Sequence, residues 1–183
     1  IIMRLIGGNK NKINWGIIKD KILFIDYTNE KVISSLEKKI EKNLISSMTK
    51  RTNVKGEMTS WNHFIDDKDF EKITKFINPY LFKFISIARN NINTIELIDA
   101  WGNRLNKNDY IQKHNHIVGN WDSISGNIYF SNKKPGTYFV NFKGAIQPKR
   151  GRIVIFNSNE MHLVDVVKDE DPRYTLAFNM RYE

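Results

Sequence analysis

The chain contains no cysteine. That absence excludes disulfides, thiolate nucleophiles, zinc ribbons and cysteine-held iron–sulfur clusters, and leaves imidazole and carboxylate as the strong metal ligands. Proline is scarce, at 4 in 183 residues, and no Pro-rich linker, internal repeat or low-complexity tract divides the chain. No apolar run is long enough to span a bilayer, and the first residues lack the apolar core of a secretory signal. A cytoplasmic protein without membrane partners is expected. Negative charge is the minority sign: 20 Asp and Glu stand against 29 Lys and Arg, a formal net charge of +9. Such a field favours an acidic substrate or partner, nucleic acid included. Lys, Asn and Ile are all abundant, however, and no basic segment is interleaved with aromatics as single-strand binders require. No motif indicates nucleic acid.

What is present reads as one folded domain. Hydrophobic residues make up 40% of the chain and aromatics 12%, enough for a sizeable core at this length. Up to about residue 93 the pattern is a strand and then helices. Residues 21–27 form a short apolar run, and Thr28 or Asn29 can cap a helix on which Val32, Ile33, Leu36, Ile40 and Leu44 recur at helical spacing. Residues 45–60 are polar and read as loop. Asp66 or Asp67 starts a second helical segment, which Pro79 is expected to kink or break before residues 81–88 resume the pattern. These helices are expected to buttress one face of a sheet. Residues 94–183 change character. Short β-rich runs at 95–101, 110–116, 123–130, 137–142, 152–156, 162–167 and 173–181 are separated by turn residues, which predicts a sandwich or barrel.

Three of the four histidines fall in this β region. Side chains alternate along a strand, so His114 and His116 share a face, and His162 on a distant strand can complete a set of three in a barrel mouth. His63, beside Trp61, has no partner at suitable spacing. On the last strand Arg173, Thr175, Ala177 and Asn179 share a face, and an Arg with a hydroxyl two residues on can clamp a carboxylate.

Together these residues resemble the 2-oxoglutarate/Fe(II)-dependent oxygenases, and within them the prolyl-4-hydroxylase-like branch with its small bacterial and phage members. The matching stretches are DAWGNRLNKNDYIQKHNH, SISGNIYF, PKRGRIVIFNSNEMH and RYTLAFNM, from Asp99 to Met180 in the family's order. The resemblance implies a double-stranded β-helix (a jelly-roll, cupin-like barrel) with N-terminal buttressing helices, and a reaction using Fe(II), 2-oxoglutarate and O2 that hydroxylates a substrate and releases succinate and CO2. By the same resemblance His114, His116 and His162 hold the metal, Arg173 and Thr175 hold the far carboxylate of 2-oxoglutarate, Tyr129 stands against that cosubstrate, and Asn103 and Asn179 wall its pocket. The sequence departs from the family's His-x-Asp/Glu pattern at His116. Three imidazoles suit zinc, nickel and copper as well as iron, and Asp122 or Glu160 could restore a carboxylate. Two other readings stay open: a cupin-type dioxygenase or isomerase that does not use 2-oxoglutarate, and a non-catalytic basic binding module.

Overall fold

A computed structural model describes residues 13–45, 52–89, 91–116, 122–132 and 135–183. The chain begins with a hairpin, β1 (Trp15–Ile18) and β2 (Ile22–Asp26). Helix α1 (Glu30–Lys42) follows, and the Asn29 side chain caps it by accepting the Val32 N–H. Two very short strands, β3 (Val54–Lys55) and β4 (Glu57–Met58), occupy part of the stretch read as loop. Helix α2 (Lys68–Ile85) starts from Asp67, whose side chain accepts from the Asp69 and Phe70 N–H groups. It runs through Pro79 without ending, so the expected break does not occur. Pro79 is exposed, so the hydrogen bond it forfeits lies on the solvent side, where water can take the freed carbonyl.

The second half supplies β5 (Ile95–Leu105), β6 (Tyr110–His114), β7 (Ser123–Tyr129), β8 (Thr137–Phe139), β9 (Gly144–Ile146), β10 (Arg152–Asn157), β11 (His162–Val164) and β12 (Arg173–Tyr182). The expected strand over 137–142 is cut short, because Val140–Phe142 form a 3-10 turn that leads into β9. Likewise β6 ends at His114, two residues before the expected limit, and β11 ends at Val164.

Two antiparallel sheets result. One has the order β1-β2-β10-β7-β12-β5-β4, and the other β3-β6-β11-β8-β9. From β5 onward the chain passes from one sheet to the other and back, with β8 and β9 staying together. This is the double-stranded β-helix expected from the resemblance. Buried clusters drawn from both sheets fill the space between them: Tyr129, Phe139, Val154 and Phe156 at one end, Val54, Leu105 and Val164 at the other.

The outer face of the larger sheet carries the helices, and this decides the composition of its strands. On β12 the odd-and-even rule separates two sets of side chains, both buried. Tyr174, Leu176, Phe178, Met180 and Tyr182 join the core shared with α1 and α2. Arg173, Thr175, Ala177 and Asn179 face the interior of the sandwich, and every one of them is buried as well. Gly102 on β5 lets α1 approach, since a Cβ there would sit 2.4 Å from Ile40. No helix among the described residues is long and apolar enough to cross a membrane.

Candidate metal centre and its cavity

The three histidines meet. Although far apart in sequence, β6 and β11 are neighbours, and His114 and His162 are direct cross-strand partners. His116 lies just past the end of β6, where its backbone N–H donates to the Ser158 carbonyl at 2.8 Å. One ring nitrogen from each of the three residues lies within 4.8 Å of the others.

Which nitrogens converge follows from the hydrogen bonds. His114 Nδ1 is 2.7 Å from the Gln112 carbonyl, His162 Nδ1 is 2.8 Å from the Glu160 carbonyl, and His116 Nδ1 is 2.8 Å from Asn179 Oδ1. All three partners are oxygens that only accept, so each Nδ1 carries the proton and donates it. Each Nε2 is left with a bare lone pair. The Nε2 atoms of His114 and His116 stand 3.0 Å apart. Two lone pairs at that distance repel unless a cation lies between them, so the residues present fit a divalent metal bound through three Nε2 atoms. Burial favours the neutral rings that a metal requires. Desolvation pushes His116 down to about 4 and His162 down to about 3, with the neighbouring imidazoles adding to both shifts, and it lowers His114 as well.

Asn179 is held in the orientation that His116 needs. Its Nδ2 donates to Asp99 Oδ1 at 2.8 Å, and its Oδ1 also accepts from Ser125 Oγ at 2.7 Å. Ser125 Oγ in turn lies 2.8 Å from Ser158 Oγ. The resemblance put Asn179 on the cosubstrate wall, but the structure places it behind His116, a candidate metal ligand, whose Nδ1 it holds.

Inward from the histidines runs a narrow cavity lined by Trp101, Asn103, Asn127, Thr137, Arg173 and Thr175, among others. Arg173 is 2% exposed. Its Nε donates to the Pro135 carbonyl at 3.0 Å and its guanidinium packs over the Tyr129 ring at 5.3 Å, but Nη1 has no partner. Burial pushes the Arg173 pKa down, yet a guanidinium stays charged. Three more buried polar atoms without partners are Trp101 Nε1, Asn103 Oδ1 and Asn127 Nδ2, and all three residues line this same cavity. Buried polar groups are nearly always satisfied. A cluster of exceptions around one space, with three donors (one of them on the buried Arg173 cation) against the single acceptor of Asn103, is the lining that an anionic, acceptor-rich molecule would complete. Tyr129 is placed differently from expectation. It does not line the cavity; its hydroxyl donates to Thr137 Oγ1 at 2.7 Å and accepts the Thr137 N–H, while its ring supports Arg173.

Neither carboxylate proposed to join the metal belongs to the group that the three histidines form. Asp122 is exposed and ion-paired with Arg89. The Glu160 side chain pairs with Lys21 at 3.2 Å and accepts from Asn141 at 2.9 Å, so only its backbone carbonyl serves the site. Sequence reasoning missed Trp101, Asn127, Thr137 and Asp99. Period two places each on the inner face of its strand, but nothing in the pattern marks an inward polar side chain as unsatisfied.

No protein-family model and no curated protein matches the sequence. Solved structures do. A viral collagen prolyl hydroxylase from Paramecium bursaria Chlorella virus-1, in complex with 2-oxoglutarate, superposes with a TM-score of 0.68 at 17% identity, over 88% of this chain and 96% of that one. This chain has the fold of a 2-oxoglutarate/Fe(II) oxygenase. A prolyl-4-hydroxylase from Pseudomonas putida matches at 0.65 and 12% identity, over 88% of this chain and 92% of that one. HygX from Streptomyces hygroscopicus, with nickel and 2-oxoglutarate bound, matches at 0.64 and 11%, over 88% and 82%.

Proposed function

We propose that this protein is an oxygenase dependent on Fe(II) and 2-oxoglutarate, which hydroxylates a substrate and releases succinate and CO2. One observation carries the reading: three Nε2 lone pairs converge at one end of a cavity that has a buried, partly unpartnered guanidinium among its walls. A 2-oxoglutarate molecule has a keto-acid end for a metal and a carboxylate for Arg173, and the structures of similar fold include two that hold 2-oxoglutarate.

Bound there, iron would activate O2 at the expense of the cosubstrate's decarboxylation. The chain's own part is positioning. His114, His116 and His162 hold the ion, and their carbonyl and Asn179 partners keep each Nε2 unprotonated. Arg173 and Thr175 receive the far carboxylate, through charge-assisted hydrogen bonds from the former and a hydroxyl from the latter. Trp101, Phe156 and Val164 exclude water from between the two ends. The metal is reached by three neutral ligands, so the anionic charge beside it comes from the cosubstrate.

The test is spectroscopic. Protein mixed anaerobically with Fe(II) and 2-oxoglutarate should develop a metal-to-ligand charge-transfer band in the visible range. An absent band with the metal still bound would remove the cosubstrate assignment and favour a cupin-type enzyme.

A further inference from the structure

On the other side of the histidines lies a second cavity, of about 390 Å³, open to solvent. Its wall includes Asn53, Trp61, Asp99, Trp101, Asn115 and Asn179 together with His114 and His116, so a molecule bound in it would sit against the metal centre. No Lys or Arg lines it among the described residues, in a chain with an excess of nine positive charges.

Asp99 and Asp109 are partly shielded carboxylates without a Lys or Arg among the described residues, and of the two only Asp99 lines this cavity. Asp26, Glu57, Asp67, Asp69 and Glu160 are also shielded from solvent, and each holds a Lys or Arg. Asp99 holds none among the described residues; it accepts from the side chain and the backbone of Asn179, and burial pushes its carboxyl up. A desolvated carboxylate without a cation is costly unless something supplies one. Trp61 is the second observation. It is 42% exposed and stands edge-to-face against Trp101 with ring centroids 4.6 Å apart, and Trp101 in turn stacks on His116 at 6.0 Å. An indole face kept at a cavity wall beside a carboxylate is the chemistry that recognises organic cations.

We propose that the outer cavity takes a substrate bearing a cationic nitrogen, an amine or quaternary ammonium, seated between the Trp61 ring and the Asp99 carboxylate. The overall positive charge suggested an acidic substrate. The local lining reverses that, because exposed charges beyond a Debye length, about 8 Å at physiological salt, are largely screened, whereas Asp99 is in contact. The inference rests on the oxygenase reading for the fate of the ligand; its binding does not.

Calorimetric titration of the Ni(II)-loaded protein, with and without 2-oxoglutarate, provides the test. Choline is paired with its neutral counterpart 3,3-dimethylbutan-1-ol, and putrescine with butane-1,4-diol. At least one cation should bind about tenfold more tightly than its counterpart. Asp99→Asn, which keeps the acceptor for Asn179, and Trp61→Leu at the exposed wall should each reduce that preference several-fold. Equal binding within both pairs overturns the proposal, and so does a preference that survives both substitutions. The charge-transfer band, measured on the same protein with Fe(II), reports separately on the oxygenase reading.

Discussion

Every imidazole of the candidate metal centre has only one usable tautomer, and the acceptors that impose it differ in what they cost to lose. Gln112 and Glu160 act through backbone carbonyls, which no substitution removes. Asn179 acts through its side chain, and so it is the support that mutation can reach. Asn179→Ala should lower metal affinity by about 10- to 100-fold, the usual cost of losing such a partner, measured by competition with a chromophoric chelator. Arg173 offers a different dissociation. Its Nη1 is buried without a partner, so Arg173→Met should leave the melting temperature of the ligand-free protein unchanged or raise it, while abolishing the upward shift that 2-oxoglutarate gives the metal-loaded wild type. A fall in the ligand-free melting temperature would show that the guanidinium serves the fold instead. The histidines also set a pH dependence. An unfolded histidine takes up its proton near pH 6.5, whereas the folded chain resists until about 4 at His116 and about 3 at His162. Between those values the unfolded state binds more protons, so the metal-free protein should lose stability as pH falls from about 6.5 toward 3, followed by thermal melts across that range.

At the level of elements, the central strands of the larger sheet work on both faces. β12 places its even-numbered residues against the helices and its odd-numbered residues around the site. β5 and β7 share the same division, with Ala100, Ile124 and Ile128 on the helical side and Trp101, Asn103 and Asn127 on the cavity side. Packing the helices therefore shapes the strands from which the cavity hangs. Gly102 is the tightest contact of this kind. Gly102→Ala would push a methyl group into Ile40 and should cost about 1–3 kcal/mol of stability, read from denaturant unfolding. The strands that pattern reasoning found are those of five residues or more, together with β8 and β11. It missed β1, β3, β4 and β9, since two to four residues hold too little alternation to be recognised.

Across the whole molecule, a metal held by the three histidines would be a cross-link within the smaller sheet. It would join the end of β6 to the start of β11, strands of five and three residues that have little backbone pairing of their own. Loading with Fe(II) or a redox-inert substitute should raise the melting temperature, by about 2.7 kcal/mol of stabilisation at a hundredfold excess over Kd, and a chelator should reverse it. His162→Ala should abolish the response. The net charge of +9, by contrast, says little about the site, whose outer wall carries a carboxylate and no Lys or Arg among the described residues.

Period-two alternation alone puts His114 and His116 on one side of a strand, and Arg173, Thr175 and Asn179 on one side of another, because side-chain direction in a strand is a local property of the backbone. The helical spacing of Val32, Ile33, Leu36 and Ile40 is local in the same way, and those four residues do form the buried face of α1. Pairing is not local. That His162 would lie directly opposite His114, that Asn179 would lock His116 instead of walling a cosubstrate pocket, and that Asp99 would stay without a cation among the described residues all depend on which strands become neighbours. Those neighbours are separated by tens of residues, and the burial of both sheet faces, not any single segment, selects them.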